Sequence, residues 1–162
     1  EELIGQLLEW SPLVIVLDSA MERVMELDIK VDVLLGDFDR GFNPEQYQTS
    51  QYPIEIIHTP DQNKTDLEKA FDYLIDRKIP AVNVVWATGK SADHTITNIT
   101  NITRYRETLK IVILDDHSKI FLLPKKSKLC NACCLSVFVV FSTCQLLTFL
   151  FIILRLGISP AS

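Results

Sequence analysis

The apolar run VDVLLGDFDRG, residues 31–41, ends in two aspartates one residue apart. Carboxylates that close repel each other and gain nothing from apolar neighbours, so the spacing points to a cation. In an extended segment the side chains at i and i+2 point the same way, so Asp37 and Asp39 can hold one metal or bridge two. Gly36 lets the backbone come close to a ligand. An ordinary turn also uses Asp and Gly, and a single Asp-x-Asp is weak on its own. A second cluster, DQNKTD at 61–66, joins a strand to a helix. Thr65 suits the N-cap and Asp66 the first helical turn, which gives both a structural explanation. Asp61 and Lys64 have none, and an acid and a base in a connector can hold metal and phosphate respectively. The third cluster, ATGKSADHT at 87–95, is a glycine loop running into a helix whose free N–H groups suit an anion. Within it Asp93 is expected as the N-cap, His94 as a surface or capping residue, and Lys90 as solvated unless a phosphate reaches it.

These clusters need elements to position them. Residues 13–17, 31–35, 54–57, the stretch AVNVVWATG ended by Gly89, LKIVILDD and KIFLLP read as strands. Helices are predicted after Asp18, with Ser19 and Glu22 as a capping box and Ala20, Val24 and Leu27 on one face. The clearest is TDLEKAFDYLIDRK, where Thr65 and Glu68 close a box and Leu67, Ala70, Phe71, Leu74 and Ile75 share a face. A Thr/Asn-rich helix follows from about Asp93, with Ile96, Ile99 and Ile102 facing inward. Strands apolar on both faces, alternating with helices, predict an α/β fold: a mostly parallel sheet with helices on both faces. In such sheets ligands bind beyond the carboxyl ends of the strands. Asp18, Asp37, Asp39, the Gly89 loop and Asp115/Asp116 then share one rim. Met21, Met25, Phe71 and Trp86 read as core.

The 162 residues suit one domain, or one domain with an appendage. Residues 1–128 hold 15 basic against 21 acidic side chains, a net charge of −6, because Arg155 is the only charged residue from Leu129 onward. An acidic body argues against a nucleic-acid backbone as partner, and acidic sites that handle phosphates usually do so through bound Mg²⁺. All four cysteines, Cys130, Cys133, Cys134 and Cys144, lie late in the chain; no second pair stands at zinc-ligand spacing, and the body holds no disulfide. With no basic-then-apolar leader at Glu1, a cytoplasmic location is expected and the Asn-x-Thr sites at Asn63, Asn98 and Asn101 are read as chance. Residues 129–154 carry no charge and are long enough to span a bilayer; a membrane helix and a frameshifted or alternatively spliced end are both open readings. The expected division is an α/β catalytic domain at 1–124 and an apolar Cys-containing tail at 125–162.

In order, GDFD, TPDQNKTDLEKA and ATGKSADHTITNI resemble the thiamin pyrophosphokinase family over about residues 13–124. The resemblance implies transfer of a diphosphoryl group from ATP to the thiamin hydroxyl, giving thiamin diphosphate and AMP. It implies an α/β nucleotide-binding domain with a C-terminal β-sandwich, in a homodimer that binds thiamin between subunits. On that footing Asp37, Asp39 and Asp61 would hold Mg²⁺ on the ATP phosphates, and Asp66 would join the acidic site and orient the hydroxyl. Lys64 would neutralise phosphate and Asp18 would lie near the nucleotide. Asp93, His94 and Thr95 form the family's signature loop; Thr65, Lys90 and Asn98 are expected beside the substrate.

The sequence departs from the family at Ser19 (usually glycine), Arg40 (usually serine), Ser91 (arginine) and Asn63 (often aspartate). The family's first strand is not seen before Glu1, and nothing after Lys128 resembles the β-sandwich, so a truncated or defective form is expected. Two other readings stay open. One is a haloacid-dehalogenase-like phosphatase, although Arg40 and Gly41 fit that pattern poorly. The other is a membrane-tethered nucleotide- or metal-binding module.

Overall fold

Successive residues of the central strands are buried on opposite faces, which sorts the core into two layers. The computed structural model describes residues 2–9, 12–39, 41–89, 91–115 and 118–122, and the backbone of two further strands, 137–139 and 151–154. The strands are β1 (Leu13–Leu17), β2 (Val33–Gly36), β3 (Glu55–His58), β4 (Ala81–Val85), β5 (Lys110–Leu114), β6 (Lys119–Leu122), β7 (Val137–Val139) and β8 (Phe151–Leu154). The helices are α1 (Glu2–Leu8), α2 (Met21–Glu26), α3 (Asp66–Asp76) and α4 (Ala92–Arg104). Ile15, Leu17, Val33, Leu35, Val84 and Ile113 face α3 and α4 and pack on Leu67, Phe71, Leu74 and Ile102. Val14, Val16 and Leu34 face the other way, onto Ile4 of α1 and Met21 and Val24 of α2. Strands buried on both faces read as continuous apolar runs, which is why the expected α/β sheet with helices on both sides was visible in the sequence.

The sheet order is β3-β2-β1-β8-β4-β5-β6-β7. β1, β2 and β3 pair in parallel, as do β4 and β5. β8 runs antiparallel between β1 and β4, and β6 and β7 are antiparallel additions beyond β5. From β1 the chain steps outward through β2 to β3, then crosses to β4 on the far side. The carboxyl ends of β1 and β4 therefore flank a switch point, the place where open α/β sheets bind ligands. The apolar stretch 129–154 lies mostly outside the described residues; its last four residues are β8. Among the described residues no helix is long and apolar enough to cross a membrane.

Several local expectations are corrected. Ser19 does not cap α2, because the chain enters that helix through a 3₁₀ turn at Asp18–Ala20, and the Asp18 carboxylate takes the Ser19 N–H at 2.6 Å. β2 starts at Val33 rather than Val31, whose N–H donates to Gln51 Oε1 at 2.8 Å. β4 ends at Val85, well before Gly89, since Trp86 turns to φ +59°. The cap of α4 is at Ser91, with Asp93 in its first turn. Ile96 is 64% exposed while Ile102 is buried. Two steps of three residues accumulate about 120° of offset around a helix, so a strict three-residue spacing cannot keep all three isoleucines inward. The capping box of α3 is present as expected: Glu68 N–H donates to Thr65 Oγ1, and Glu68 Oε2 accepts from Thr65 N–H at 3.0 Å.

The loop from 41 to 54 is stapled back onto the core by polar contacts. Lys30 Nζ donates to three carbonyl oxygens, Val31 at 2.5 Å, Gln51 at 2.7 Å and Pro53 at 2.8 Å. The buried Gln51 side chain fills the gap at the start of β2. Gln51→Leu keeps the side-chain bulk but strands the Val31 N–H. It should cost about 1–3 kcal/mol, the penalty for a buried donor without a partner. Urea denaturation should show a lower midpoint at unchanged m-value.

Candidate functional site

A cavity of about 510 Å³ opens at the switch point, lined by Leu17 at the end of β1, Ser19 just beyond it, Asp37 after β2, residues of 62–69, Trp86 to Thr88 after β4, and the first two turns of α4. All three motif clusters thus meet on one rim. Two walls are locked together by a single carboxylate: Glu68 accepts from Thr65 through Oε2 and from Arg104 Nη1 through Oε1 at 2.5 Å. That contact ties the amino end of α3 to Arg104, the last residue of α4. The amino ends of α3 and α4 both line the cavity. Their free N–H groups suit a phosphate.

Asp18 lies between two lining residues, Leu17 and Ser19, and bridges two strand ends. Its carboxylate accepts from Ser19 N–H and, at 3.3 Å, from Phe38 N–H. It presses so closely on Gly36 that a Cβ there would sit 2.5 Å from Oδ2, so only glycine fits. Burial pushes the Asp18 carboxyl above its ordinary value, and the charges of Asp66 and Asp37 push it further. Asp37 is held low, first by the Gln62 amide, which donates to its Oδ2 at 3.1 Å. Asp39 is exposed. Phe38 stands at φ +53°, so residues 37–39 are not extended and the two aspartates do not share a direction by strand alternation.

Asp61 forms a local turn with Asn63, accepting from its N–H at 2.9 Å and its side-chain amide at 3.0 Å; those bonds hold its carboxyl low. Lys64 lines the cavity but donates to Asp72 at 2.7 Å, which raises its ammonium. Thr65 is occupied by the capping box. Asp66 pairs with Lys69 at 3.0 Å. On the third motif, Thr95 Oγ1 donates to Ser91 O at 2.9 Å and accepts from Gly89 N–H, while the Asn98 amide donates to Ala87 O at 2.8 Å. Both therefore brace the glycine loop, whose Gly89 takes φ +95°. Asp93 accepts from the Ser91 hydroxyl, and His94 is exposed on the cavity edge. Thr88 Oγ1 donates to Asp115 at 2.5 Å, joining the ends of β4 and β5. Lys90, Arg40 and Asp116 lie outside the described residues.

Sequence reasoning missed three contributors. Lys69 lines the cavity with a side chain only 5% exposed. It stands near Asp37 and Asp61 as well as Asp66. Its signal was a lysine one helical turn beyond Asp66. Gln62 orients Asp37, and the DQNKTD connector contained it. Trp86, assigned to the core, lines the cavity with Arg23 stacked 4.2 Å from its ring centroid.

The donors offered to a metal are carboxylate oxygens. Asp18, Asp37 and Asp66 repel one another, the condition a hard divalent cation relieves. Among the described residues no three such side chains form a ready cage. Mg²⁺ seldom uses one, binding through one or two carboxylates completed by water and substrate phosphates. The site fits Mg²⁺ in that mode.

Residues 4–113 match the family described as thiamin pyrophosphokinase, catalytic domain. Thiamine pyrophosphokinase 1 of Oryza sativa subsp. japonica is 34% identical over 105 residues, covering 59% of this chain and 39% of that protein. Thiamin pyrophosphokinase 1 of Caenorhabditis elegans is 25% identical over 117 residues, covering 66% and 46%. The chain therefore spans less than half the length of these relatives. The crystal structure of thiamine pyrophosphokinase from Bacillus subtilis superposes with a TM-score of 0.56 at 23% identity, over 68% of this chain and 52% of that one. The Candida albicans thiamin pyrophosphokinase gives 0.51 at 19%, over 65% and 50%. At these identities the structural likeness establishes the fold.

The raised Asp18 carboxyl has a measurable consequence in metal-free buffer. Its folded pKa lies above the ordinary 3.8, so ionising it costs the folded state more than the unfolded one. Wild-type stability relative to Asp18→Asn should therefore be lost as pH rises through the window that opens near 3.8. In EDTA the Tm of the variant minus that of wild type should increase from about pH 3 to about pH 6. A difference that is flat or falls across that range would contradict the burial of this charge.

Proposed function

The chain belongs to the thiamin pyrophosphokinase family through its catalytic domain, and from that premise we propose that it carries the ATP- and Mg²⁺-binding half of a diphosphoryl-transfer site. The observation that supports this reading is the meeting of three motifs on one cavity at the switch point of the sheet, with carboxylates on one side and two helix amino ends on the other.

In the proposed reaction the thiamin hydroxyl oxygen forms a bond to the β-phosphorus of ATP. The bond from that phosphorus to the α–β bridging oxygen breaks, AMP leaves, and the hydroxyl proton passes to a carboxylate or to water. Such transfers depend on positioning and charge neutralisation more than on covalent chemistry. Mg²⁺, held by Asp37 with Asp18, Asp39 or Asp61, would neutralise the phosphate oxygens. Lys69 and Lys64 would do the same from the α3 side after exchanging their present carboxylate partners for phosphate. The amino end of α4, with Asp93, His94 and Thr95 in its first turn, would bind a phosphate through backbone N–H groups. Asp66, released from Lys69, would orient the attacking hydroxyl. Residues 1–124 would form this unit. The relatives' names give thiamin as acceptor, and a homodimer with thiamin between subunits is the arrangement that the family resemblance implies.

The test is formation of AMP and thiamin diphosphate, in equal amounts, from Mg²⁺·ATP and thiamin by the purified chain. Asp37→Asn should remove at least about 99% of that activity, as expected when a metal-binding carboxylate that stabilises developing charge is lost. Circular dichroism should be unchanged, since Asp37 is a loop residue at the rim. AMP formed without thiamin diphosphate would point to hydrolysis and against this reading.

A further inference from the structure

Phe38 sits between the two aspartates of the acidic loop in a left-handed backbone conformation that a bulky side chain rarely adopts. Something must hold it there. Its ring lies in a stack: Phe42 packs 5.8 Å away on one contact, with interplanar angle 17°, and His58 packs 5.7 Å away, with interplanar angle 19°. Phe42 in turn stacks on Tyr47 at 5.8 Å. His58 also reaches the loop's backbone, its Nε2 lying 3.0 Å from the carbonyl oxygen of Asp37. A carbonyl only accepts, so Nε2 carries the proton, and both the neutral Nε2–H tautomer and the imidazolium can make this bond. His58 is placed by register, since it lies beside Gly36 across the β2–β3 ladder. Thr59 N–H donates to Gly36 O at 2.8 Å and fixes that ladder's end.

We infer that His58 is a positioning residue for the acidic loop, holding the Asp37-Phe38-Asp39 turn by one hydrogen bond to Asp37 O and one ring stack on Phe38. It does not line the cavity and acts through Asp37 and Asp39. The consequence for nucleotide binding rests on the reading that this loop serves Mg²⁺·ATP; the consequence for loop order does not. Partners of this kind, one step removed from a metal ligand, typically change affinity by about 10–100-fold when lost.

Three variants separate the two contacts. His58→Ala removes both, His58→Gln keeps a donor at nearly the Nε2 position, and His58→Phe keeps the stack alone. In ligand-free protein the Phe42 amide, which donates to Asp39 O at 3.1 Å and closes the turn, reports loop order by hydrogen exchange. The Glu55 amide, bonded to Asp32 O at 2.8 Å, serves as a control for the fold. His58→Ala should speed exchange at Phe42 by about tenfold without moving Glu55, and His58→Gln and His58→Phe should each restore part of the protection. Calorimetric titration with Mg²⁺ and α,β-methylene-ATP, whose α–β linkage cannot be cleaved, should show the same order, with about tenfold weaker binding for His58→Ala. Equal Phe42 exchange in wild type and His58→Ala overturns the positioning role. Wild-type protein that fails to bind the analogue sinks the functional reading instead, and the exchange experiment still decides His58.

Discussion

One carboxylate holds the site together. Asp18 caps the end of β1 through the Ser19 N–H, reaches across to the Phe38 N–H after β2, and fills the space that any side chain at Gly36 would need. It thereby fixes how far apart the first two strand ends stand and which way the acidic loop leaves the sheet. The cost is a half-buried negative charge facing two others, Asp66 and Asp37. Hydrogen bonds to two N–H groups offset only part of that cost, because burial remains the largest influence and its direction is upward. A fold that retains an acid in such a place is poised for a counter-charge that the chain itself does not supply in full.

The cations present tell a complementary story. Lys69 is buried and tied to Asp66, and Lys64 is tied to Asp72 on the next turns of the same helix. Asp72 also accepts from the Tyr105 hydroxyl, which burial and that neighbouring charge push up to about 12. Both lysines are therefore held by carboxylates of α3 while lining the cavity. A phosphate entering the cavity would replace one carboxylate contact by another anionic one, so the exchange would be close to balanced in desolvation. It avoids stripping water from a freely hydrated ammonium. Polar satisfaction in the absence of ligand and readiness for an anion are met by the same side chains.

What the sequence disclosed and what it hid follow from the range of the interactions. Leu13–Leu17, the α3 capping box and the rim position of the aspartates were legible because each depends on neighbours within a few residues or on a two-residue alternation. Lys69 was not, since its place in the cavity wall depends on how α3 is rotated against the sheet. The expected Ser19 cap failed for a long-range reason: Asp18 is committed to Phe38, twenty residues away, and the chain tightens into a 3₁₀ turn to allow it. Thr95 and Asn98 looked like candidates for substrate contact by their motif, yet their hydrogen bonds to Ser91, Gly89 and Ala87 show them shaping the loop. A motif marks where chemistry is gathered; it does not divide its members into those that touch ligand and those that hold the rest in place.

The left-handed residues draw that division physically. Among the described residues four non-glycine residues stand at positive φ: Asp28, Phe38, Lys78 and Trp86. Asp28 and Lys78 have a mechanical reason. Each follows the last turn of a helix, α2 or α3, and the next residue's N–H returns to a carbonyl in that turn, Ile29 to Val24 at 3.3 Å and Ile79 to Leu74 at 2.9 Å. That is the Schellman arrangement, in which the conformation satisfies carbonyls that would otherwise be orphaned. Phe38 and Trp86 close no helix. They lie directly beyond β2 and β4, at the carboxyl ends, and each is held by a stack: Phe38 by Phe42 and His58, Trp86 by the Arg23 guanidinium. Strain of order 1–3 kcal/mol per residue persists only where surrounding contacts over-determine it, and it gathers at sites that must hold a particular shape. Trp86 lines the cavity and Phe38 follows Asp37, which lines it too, so the two strained turns leave the strand ends beside the same volume. The backbone geometry and the carboxylate arrangement therefore identify the same place independently.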